Sequence, residues 1–413
     1  MNHQLIAILF DLGDTIMLEE TEVKDAEQTT LRADLIPGMA EALRLFRAEG
    51  LRLGLVADTR PGTAVNVLRQ HGLYDLFDAQ VISETLGTQK PDPRMFQAAL
   101  DALGIAPQYY HRVVMVGNHL EKDIAGANQL GLLSAFFHLN ERRRTHALNE
   151  DERPRYTVTS AQELITLIAH LDIPLDGSRL PQQQIEPADP AELDWVATYA
   201  PHIIFADDEP FLPFTVGYTI FNQEEDSNSF RRRIVREHVP PWSKVIEYAI
   251  WFDWDMAHLY ELEHVWSYVN KSGKLIWADG SLHGSFAPMT LDDGTVPRQG
   301  THPVVHSQPG KHSFAPTPDW YHDVREQVIA AVGPKAGQDG LLVKHMYRNL
   351  IPRTPEIDAL VTSYLKPLAF TPSFQFNRHF EVTRDMLVPW PVLDTWIPMR
   401  VNWWLKRLQR SEK

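Results

Sequence analysis

Leu5–Phe10, Leu51–Ala57, Val113–Gly117 and Leu132–Phe137 are apolar runs of strand length, with Gln80–Ile82 a shorter one, and segments of helical spacing separate them. Pro37–Glu49 has helical spacing of its apolar residues (Met39, Ala42, Leu43, Leu45, Phe46), and Gly50 stops it. Thr63–Gln70, Asp92–Leu103 (with Pro93 in its first turn) and Asp123–Leu130 read as further helices. Strands that alternate with helices need right-handed crossovers, so the first half is expected to form a parallel, doubly wound α/β sheet. Ligands of such sheets bind at the carboxyl ends of the strands. Asp11, Asp58, Thr59 and Asn118 fall there.

A chain of 413 residues is long enough for two or three domains. Hydrophobic residues at 44% and charged residues at 23% exclude wholesale disorder. The net charge of −15 divides into −8 before and −7 after Asp172, so neither half carries a broad basic footprint and no nucleic-acid partner is expected. The absence of Cys excludes disulfides, zinc thiolates and thiol nucleophiles, and fits a reducing compartment. The first residues lack the pattern of a signal peptide, and no apolar run approaches a membrane span. A soluble, cytoplasmic protein is expected.

Pro174–Asp189 is rich in Pro, Gln and Asp and reads as a linker. The expected organisation is a first domain at 1–172, a linker at 173–192 and a second domain at 193–413. The second domain has a different texture. Stretches such as Lys244–Trp251, His264–Val269 and Lys274–Trp277 are β-rich, and 11 of the 18 His lie beyond residue 190. Short strands broken by Gly and Pro suggest a mainly-β sandwich. The tail Trp390–Arg410 holds four Trp; Pro391, Asp394 and Pro398 interrupt a clean amphipathic helix, and packing onto the sandwich is expected.

Four phrases of the first half occur in a telling order: Phe10-Asp11-Leu12-Gly13-Asp14-Thr15, Leu53 to Thr59, Lys90-Pro91-Asp92-Pro93, and Val116-Gly117-Asn118 with Asp123. Together they resemble the haloacid dehalogenase-like hydrolase superfamily. A strand-end carboxylate can attack phosphorus and split one hard displacement into two easier ones. Phosphoryl transfer also needs positive charge beside the nucleophile and the transferring oxygens. The resemblance implies Asp11 as nucleophile, Lys90 as the ammonium that stabilises charge, and Mg²⁺ held by Asp11, the Gly13 carbonyl, Asn118 and Asp123. Thr15, Asp58 and Thr59 are the candidate substrate-binding residues, and the substrate is expected to be a phosphorylated compound.

Three positions depart from the family pattern. Gly13 stands where these phosphatases carry a second Asp as general acid and base. Ala57 replaces the phosphate-binding Ser or Thr, and Asn118 replaces an acidic metal ligand. The intervals Asp11–Pro37 and Asp58–Lys90 are too short for the cap domains of the family, so a capless core open to bulky substrates is expected. The missing helical cap also argues against a haloacid dehalogenase.

The second half carries its own constellation. Asp253, Asp255, His258, Glu261 and Glu263 lie within eleven residues, and on a strand Glu261 and Glu263 share a face. Carboxylates with one imidazole suit Ca²⁺, Mg²⁺ or Mn²⁺. The order His258, Glu261, Glu263 with an upstream Asp resembles the necrosis- and ethylene-inducing-like proteins and a related vacuolar-protein-sorting family of β-sandwiches. Two functions follow from the whole sequence. One is a Mg²⁺-dependent phosphatase working through an aspartyl-phosphate. The other is a catalytically degenerate scaffold whose metal-containing sandwich binds a glycan, a lipid headgroup or a protein.

Overall fold

The apolar run ahead of Asp11 forms β1 (Ala7–Phe10), in which every residue is buried. This computed structural model describes residues 4–186 and 189–411. The chain divides into two units, Met1–Pro174 and Leu175–Lys413.

In the first unit β1 is central. It lies between β2 (Arg52–Ala57) and β4 (Val113–Gly117), with β3 (Ala79–Ile82) outside β2, and β5 (Leu133–Phe137) then β6 (Tyr156–Val158) outside β4. All five pairings are parallel. The crossovers are α1 (Met39–Ala48), α2 (Pro61–Gln70), α3 (Pro93–Ala102) and α4 (Ala125–Leu130), and α5 (Ala161–Leu171) follows β6. Met95, Phe96, Ala99 and Leu100 of α3 pack with Leu9, Val56 and Met115 of the sheet. A Cβ on Gly126 of α4 would strike the Phe96 ring, so the absence of a side chain there sets how closely the two helices approach. The expected doubly wound sheet is therefore present. The sequence reading lacked β6 and α5. It also started α4 two residues early, because Leu120–Ile124 is a wide turn of its own. The interval after Asp11 holds a helical turn at Glu19–Thr21 and a small hairpin, Val23–Lys24 with Thr30–Arg32, and the interval after Asp58 holds α2, β3 and two helical turns, Tyr74–Leu76 and Ser83–Leu86.

The second unit is β-rich. Its larger sheet runs β12 (Ser285–Pro288), β11 (Leu275–Leu282), β10 (His258–Val269), β9 (Lys244–Trp254), β8 (Thr215–Phe221) and β15 (Leu387–Pro389). The smaller sheet is centred on β7 (His202–Phe205), between β13 (His302–Ser307) and β14 (Arg378–Glu381). Ile246, Tyr248, Ile250 and Phe252 of β9 meet Ile203, Phe205 and Val305 of the smaller sheet in one core. The opposite face of β9 is buried as well, which is why the alternation of a half-exposed strand is missing from its sequence. The helices of this unit include α6 (Pro190–Ala197), α7 (Pro355–Leu365) and α8 (Trp390–Ser411).

Two expectations are corrected here. The Trp-rich tail is one continuous helix, α8, with Pro398 inside it. Trp390 and Trp396 are fully buried, Trp396 stacks edge-on against Trp251 of β9, and Tyr347 donates to Asp394, so tertiary packing outweighs the hydrogen bond that Pro398 cannot donate. The segment expected as a linker is packed. Trp396 Nε1 donates to the Arg179 carbonyl at 2.7 Å and Arg400 to the Gly177 carbonyl at 3.0 Å. Within that segment, Pro187 and Ala188 lie outside the described residues. No described helix is long and apolar enough to cross a membrane.

Candidate functional site

β1 and β4 end side by side, with Phe10 opposite Val116, and the Asp11 N–H continues the ladder by donating to the Val116 carbonyl at 2.9 Å. This register puts Asp11 beside Gly117 and Asn118 at the carboxyl edge of the sheet. Lys90 enters from the loop before α3. Its Nζ lies 2.6 Å from Asp11 Oδ1, 2.6 Å from Asp123 Oδ1 and 2.9 Å from the Val56 carbonyl. All three side chains are buried. Burial works to lower the Lys90 pKa, but the two carboxylates outweigh it and hold the group well above the ordinary lysine range. Burial pushes the Asp11 carboxyl up, opposed by Lys90 and reinforced by Asp123. With an ammonium in contact with both acids, the proton stays on Lys90.

The other predicted residues divide. Asp123 is fixed by the His119 N–H, which donates to Oδ2 at 3.0 Å, and Gly117 carries no Cβ that would collide with it. Asn118 is buried and its Oδ1 has no hydrogen-bond partner among the described residues. Thr15 is fully buried with its Oγ1 equally unpartnered. Asp58 does not present a free carboxylate. Its Oδ1 accepts the Lys90 N–H at 3.0 Å and its Oδ2 meets Lys122 Nζ at 3.1 Å. Asp58 thus holds the Lys90 loop and Lys122 through its two carboxylate oxygens. Thr59 is half-buried, and its carbonyl accepts the Ser83 hydroxyl at 3.4 Å.

Glu19, Arg142 and Arg143 were not anticipated. Asp14 takes a left-handed backbone (φ 47°) and its Oδ1 accepts the Glu19 N–H at 3.0 Å, folding the chain back after Gly13. Arg142 and Arg143 both donate to Glu19 Oε2, at 3.0 and 2.6 Å. Burial raises the Glu19 carboxyl, Arg143 and Arg142 act against the rise, and Asp14 and Asp11 add to it. No local pattern marks Glu19 in the sequence, because its placement depends on the Asp14 turn and on arginines more than 120 residues away.

The second unit gathers Asp255, His258 and Glu261, with Glu261, Glu263 and His283 as an overlapping group, each set with its ligand atoms within 4.8 Å of one another. Tyr260 has a left-handed backbone (φ 57°). That break in the alternation of β10 lets His258 and Glu261, three residues apart, meet at 3.5 Å. His258 Nδ1 lies 2.8 Å from the Tyr260 carbonyl, which fits donation there and leaves Nε2 toward the acids. Lys311 Nζ is 2.5 Å from Asp255 Oδ1, whereas Asp255 Oδ2 is buried with no hydrogen-bond partner among the described residues. Burial would raise the Asp255 and Glu261 carboxyls, but in both His258 leads the positive charges that bring them below the usual range. His283 is raised, Glu263 outweighing the effect of its burial. Asp253 is not part of this group, which corrects its inclusion. Strand alternation turns it to the other face of β9, where it receives two hydrogen bonds from Arg400.

Residues 2–131 match the model of the haloacid dehalogenase-like hydrolases. A glyceraldehyde 3-phosphate phosphatase of Methanopyrus kandleri is 30% identical over 135 residues, 33% of this chain and 57% of the relative. A phosphoglycolate phosphatase of Cereibacter sphaeroides is 36% identical over 113 residues, 27% of this chain and 49% of the relative. A pyrimidine 5′-nucleotidase of Escherichia coli is 31% identical over 133 residues, 32% and 56% of the two chains. The chain thus spans about half the length of these curated relatives. A solved haloacid dehalogenase-like phosphatase of Thermococcus onnurineus covers 40% of this chain and 98% of its own at 19% identity, with a TM-score of 0.33.

Proposed function

We propose that the first unit hydrolyses phosphate monoesters through an aspartyl-phosphate on Asp11. The observation that carries the reading is the Lys90 ammonium held 2.6 Å from both Asp11 and Asp123 at the carboxyl edge of the central strands. Asp11 attacks phosphorus, and the P–O bond to the alcohol breaks. Lys90 stabilises charge on the transferring oxygens and keeps Asp11 ionised. Water then attacks the aspartyl-phosphate and releases inorganic phosphate. The names of the relatives support a phosphorylated substrate, and the short intervals after Asp11 and Asp58 favour a site open to bulky ones.

The residues present fit Mg²⁺. Two acids share one ammonium, and Asn118 offers a buried oxygen with no hydrogen-bond partner among the described residues. Asp11, the Gly13 carbonyl and Asn118 would hold the ion, with Asp123 behind them. Bound there, Mg²⁺ would neutralise charge on the phosphoryl oxygens. A panel of phosphate esters assayed with Mg²⁺ tests the reading on wild type and Asp11→Asn. Turnover by wild type alone is expected, and absent or equal turnover in the two proteins would refute it.

A second reading applies to the other unit. Asp255, His258, Glu261 and Glu263 form a site for a hard divalent cation such as Ca²⁺, Mg²⁺ or Mn²⁺. The unpartnered Asp255 Oδ2 supports it, as does the strained backbone at Tyr260 and His283, where non-glycine residues take positive φ beside the ligands. The resemblance of the His258–Glu263 phrase to metal-containing β-sandwiches points the same way. In the alternative to catalysis, this sandwich is the working part and recognises a glycan, a lipid headgroup or a protein.

A further inference from the structure

We propose that Glu19 supplies the general acid and base that position 13 lacks. The inference rests on the aspartyl-phosphate reading of Asp11. A Cβ built on Gly13 would fall against Glu19 Oε1, with Glu19 Cδ and Cγ each 3.1 Å away. The Glu19 carboxyl therefore fills the volume that a side chain at position 13 would occupy, two residues after the nucleophile. Its orientation is built rather than incidental. The Asp14 turn brings the Glu19 backbone back over Gly13, and Arg142 and Arg143 anchor Oε2. Oε1 has no hydrogen bond among the described residues, and the Glu19 side chain keeps 27% of its surface exposed, so it can meet both an alcohol and water. Asp11, Asp14, Arg142 and Arg143 are the charged groups around it.

In the first step an Asp11 oxygen bonds to phosphorus and the ester P–O bond breaks. Its electron pair stays on the alcohol oxygen, which takes the proton of Glu19. In the second step Glu19, now a carboxylate, accepts a proton from water as the water oxygen bonds to phosphorus. The Asp11–phosphorus bond breaks, its electron pair returns to the Asp11 carboxylate, and phosphate leaves. Glu19 ends protonated, as it began.

The test uses the full chain with Mg²⁺ and two probes, p-nitrophenyl phosphate and glycerol 3-phosphate, on wild type, Asp11→Asn, Glu19→Gln and the pair Glu19→Ala with Gly13→Asp. A poor leaving group needs the acid, so Glu19→Gln is expected to lower kcat on glycerol 3-phosphate by ~100-fold with KM little changed. p-Nitrophenolate leaves without a proton, so the same variant should release one stoichiometric burst of it and then turn over slowly, and the burst should vanish in Asp11→Asn. The paired variant should recover steady turnover, since an Asp at position 13 then occupies the vacated space. Glu19→Gln staying within about threefold of wild type on both probes, or losing rate with no burst, overturns the role of Glu19 while Asp11-dependent turnover by wild type keeps the hydrolase reading. No Asp11-dependent turnover by wild type overturns both.

Discussion

Arg400 of α8 grips Asp253 of β9 through two hydrogen bonds, Nε to Oδ1 at 3.0 Å and Nη2 to Oδ2 at 2.6 Å. Both side chains are about nine-tenths buried, and the guanidinium lies 4.4 Å from the centre of the Trp403 ring. Removing one partner leaves the other charge buried without a counterion. Arg400→Met is expected to lower the stability of the second unit by about 3 kcal/mol, with Arg400→Lys falling between it and wild type. Urea unfolding followed by tryptophan fluorescence checks this, and unchanged midpoints would place the anchor of α8 elsewhere.

The packed state of the segment before α6 can be probed at Gly177. A Cβ there would collide with the backbone of Met399 and Arg400, which cannot rotate away as a side chain can. Gly177→Ala is therefore expected to cost about 1–3 kcal/mol, against a few tenths for a free linker. Thermal unfolding of the two proteins gives the comparison.

Lys90→Met should abolish turnover and also change how stability responds to pH. Without the ammonium, burial and the neighbouring Asp123 raise the Asp11 carboxyl further above its unfolded value. Groups raised in this way favour the folded state at low pH and lose that advantage as pH rises through the folded pKa. The stability deficit of Lys90→Met against wild type should be about 3 kcal/mol at pH 7 and smaller at pH 5, read by urea midpoints. A deficit independent of pH would mean that the two acids are not left facing each other.

His264 makes the opposite kind of contribution. It is fully buried, near Ser229, Glu247, Arg232 and Lys344, and burial followed by the two cations holds its pKa well below 6.5. The unfolded chain takes up a proton below about 6.5 and the folded chain does not, so stability is lost as pH falls past that value. Between pH 7.5 and 5.5, wild type should lose stability more steeply than His264→Gln, by up to about 1.4 kcal/mol per pH unit. Parallel curves would show that His264 protonates within the fold.

For the cluster in the second unit, calorimetric titration with Mn²⁺ or Ca²⁺ should give heat for wild type and about tenfold or more weaker binding for Glu261→Gln, since Glu261 belongs to both ligand sets. Asp253→Asn should leave cation affinity unchanged, because Asp253 lies on the other face of β9. Equal titrations of wild type and Glu261→Gln would remove the site.

The first unit was legible because its information is local. Buried parallel strands are written as apolar runs, and Asp11, Lys90, Asn118 and Asp123 each follow or precede one. The structure brings Lys90 onto Asp11 and Asp123 from 79 and 33 positions away by folding those runs side by side. What escaped depends on single backbone angles or on distant partners. Glu19 requires the left-handed turn at Asp14. The meeting of His258 and Glu261 requires the same conformation at Tyr260, which strand periodicity does not announce. Asp253 reads like Asp255 two positions on, yet β9 ends at Trp254 and the turn that follows carries Asp255 to Lys311, while Asp253 stays on the strand and meets Arg400. Helix α8 was obscured by Pro398, whose missing hydrogen bond counts for less than the burial of Trp390 and Trp396.

The clamp on Glu19 has a consequence for control. The two arginines that hold it sit in the irregular stretch between β5 and β6, outside every strand and helix of the unit. A protease nick, a modified guanidinium or a bound acidic peptide at that stretch would leave the sheet intact and Asp11 in place. On the role proposed for Glu19, it would nonetheless release the proton donor, slowing phosphate transfer from poor leaving groups and, where the leaving group needs no proton, holding the protein in its covalent form.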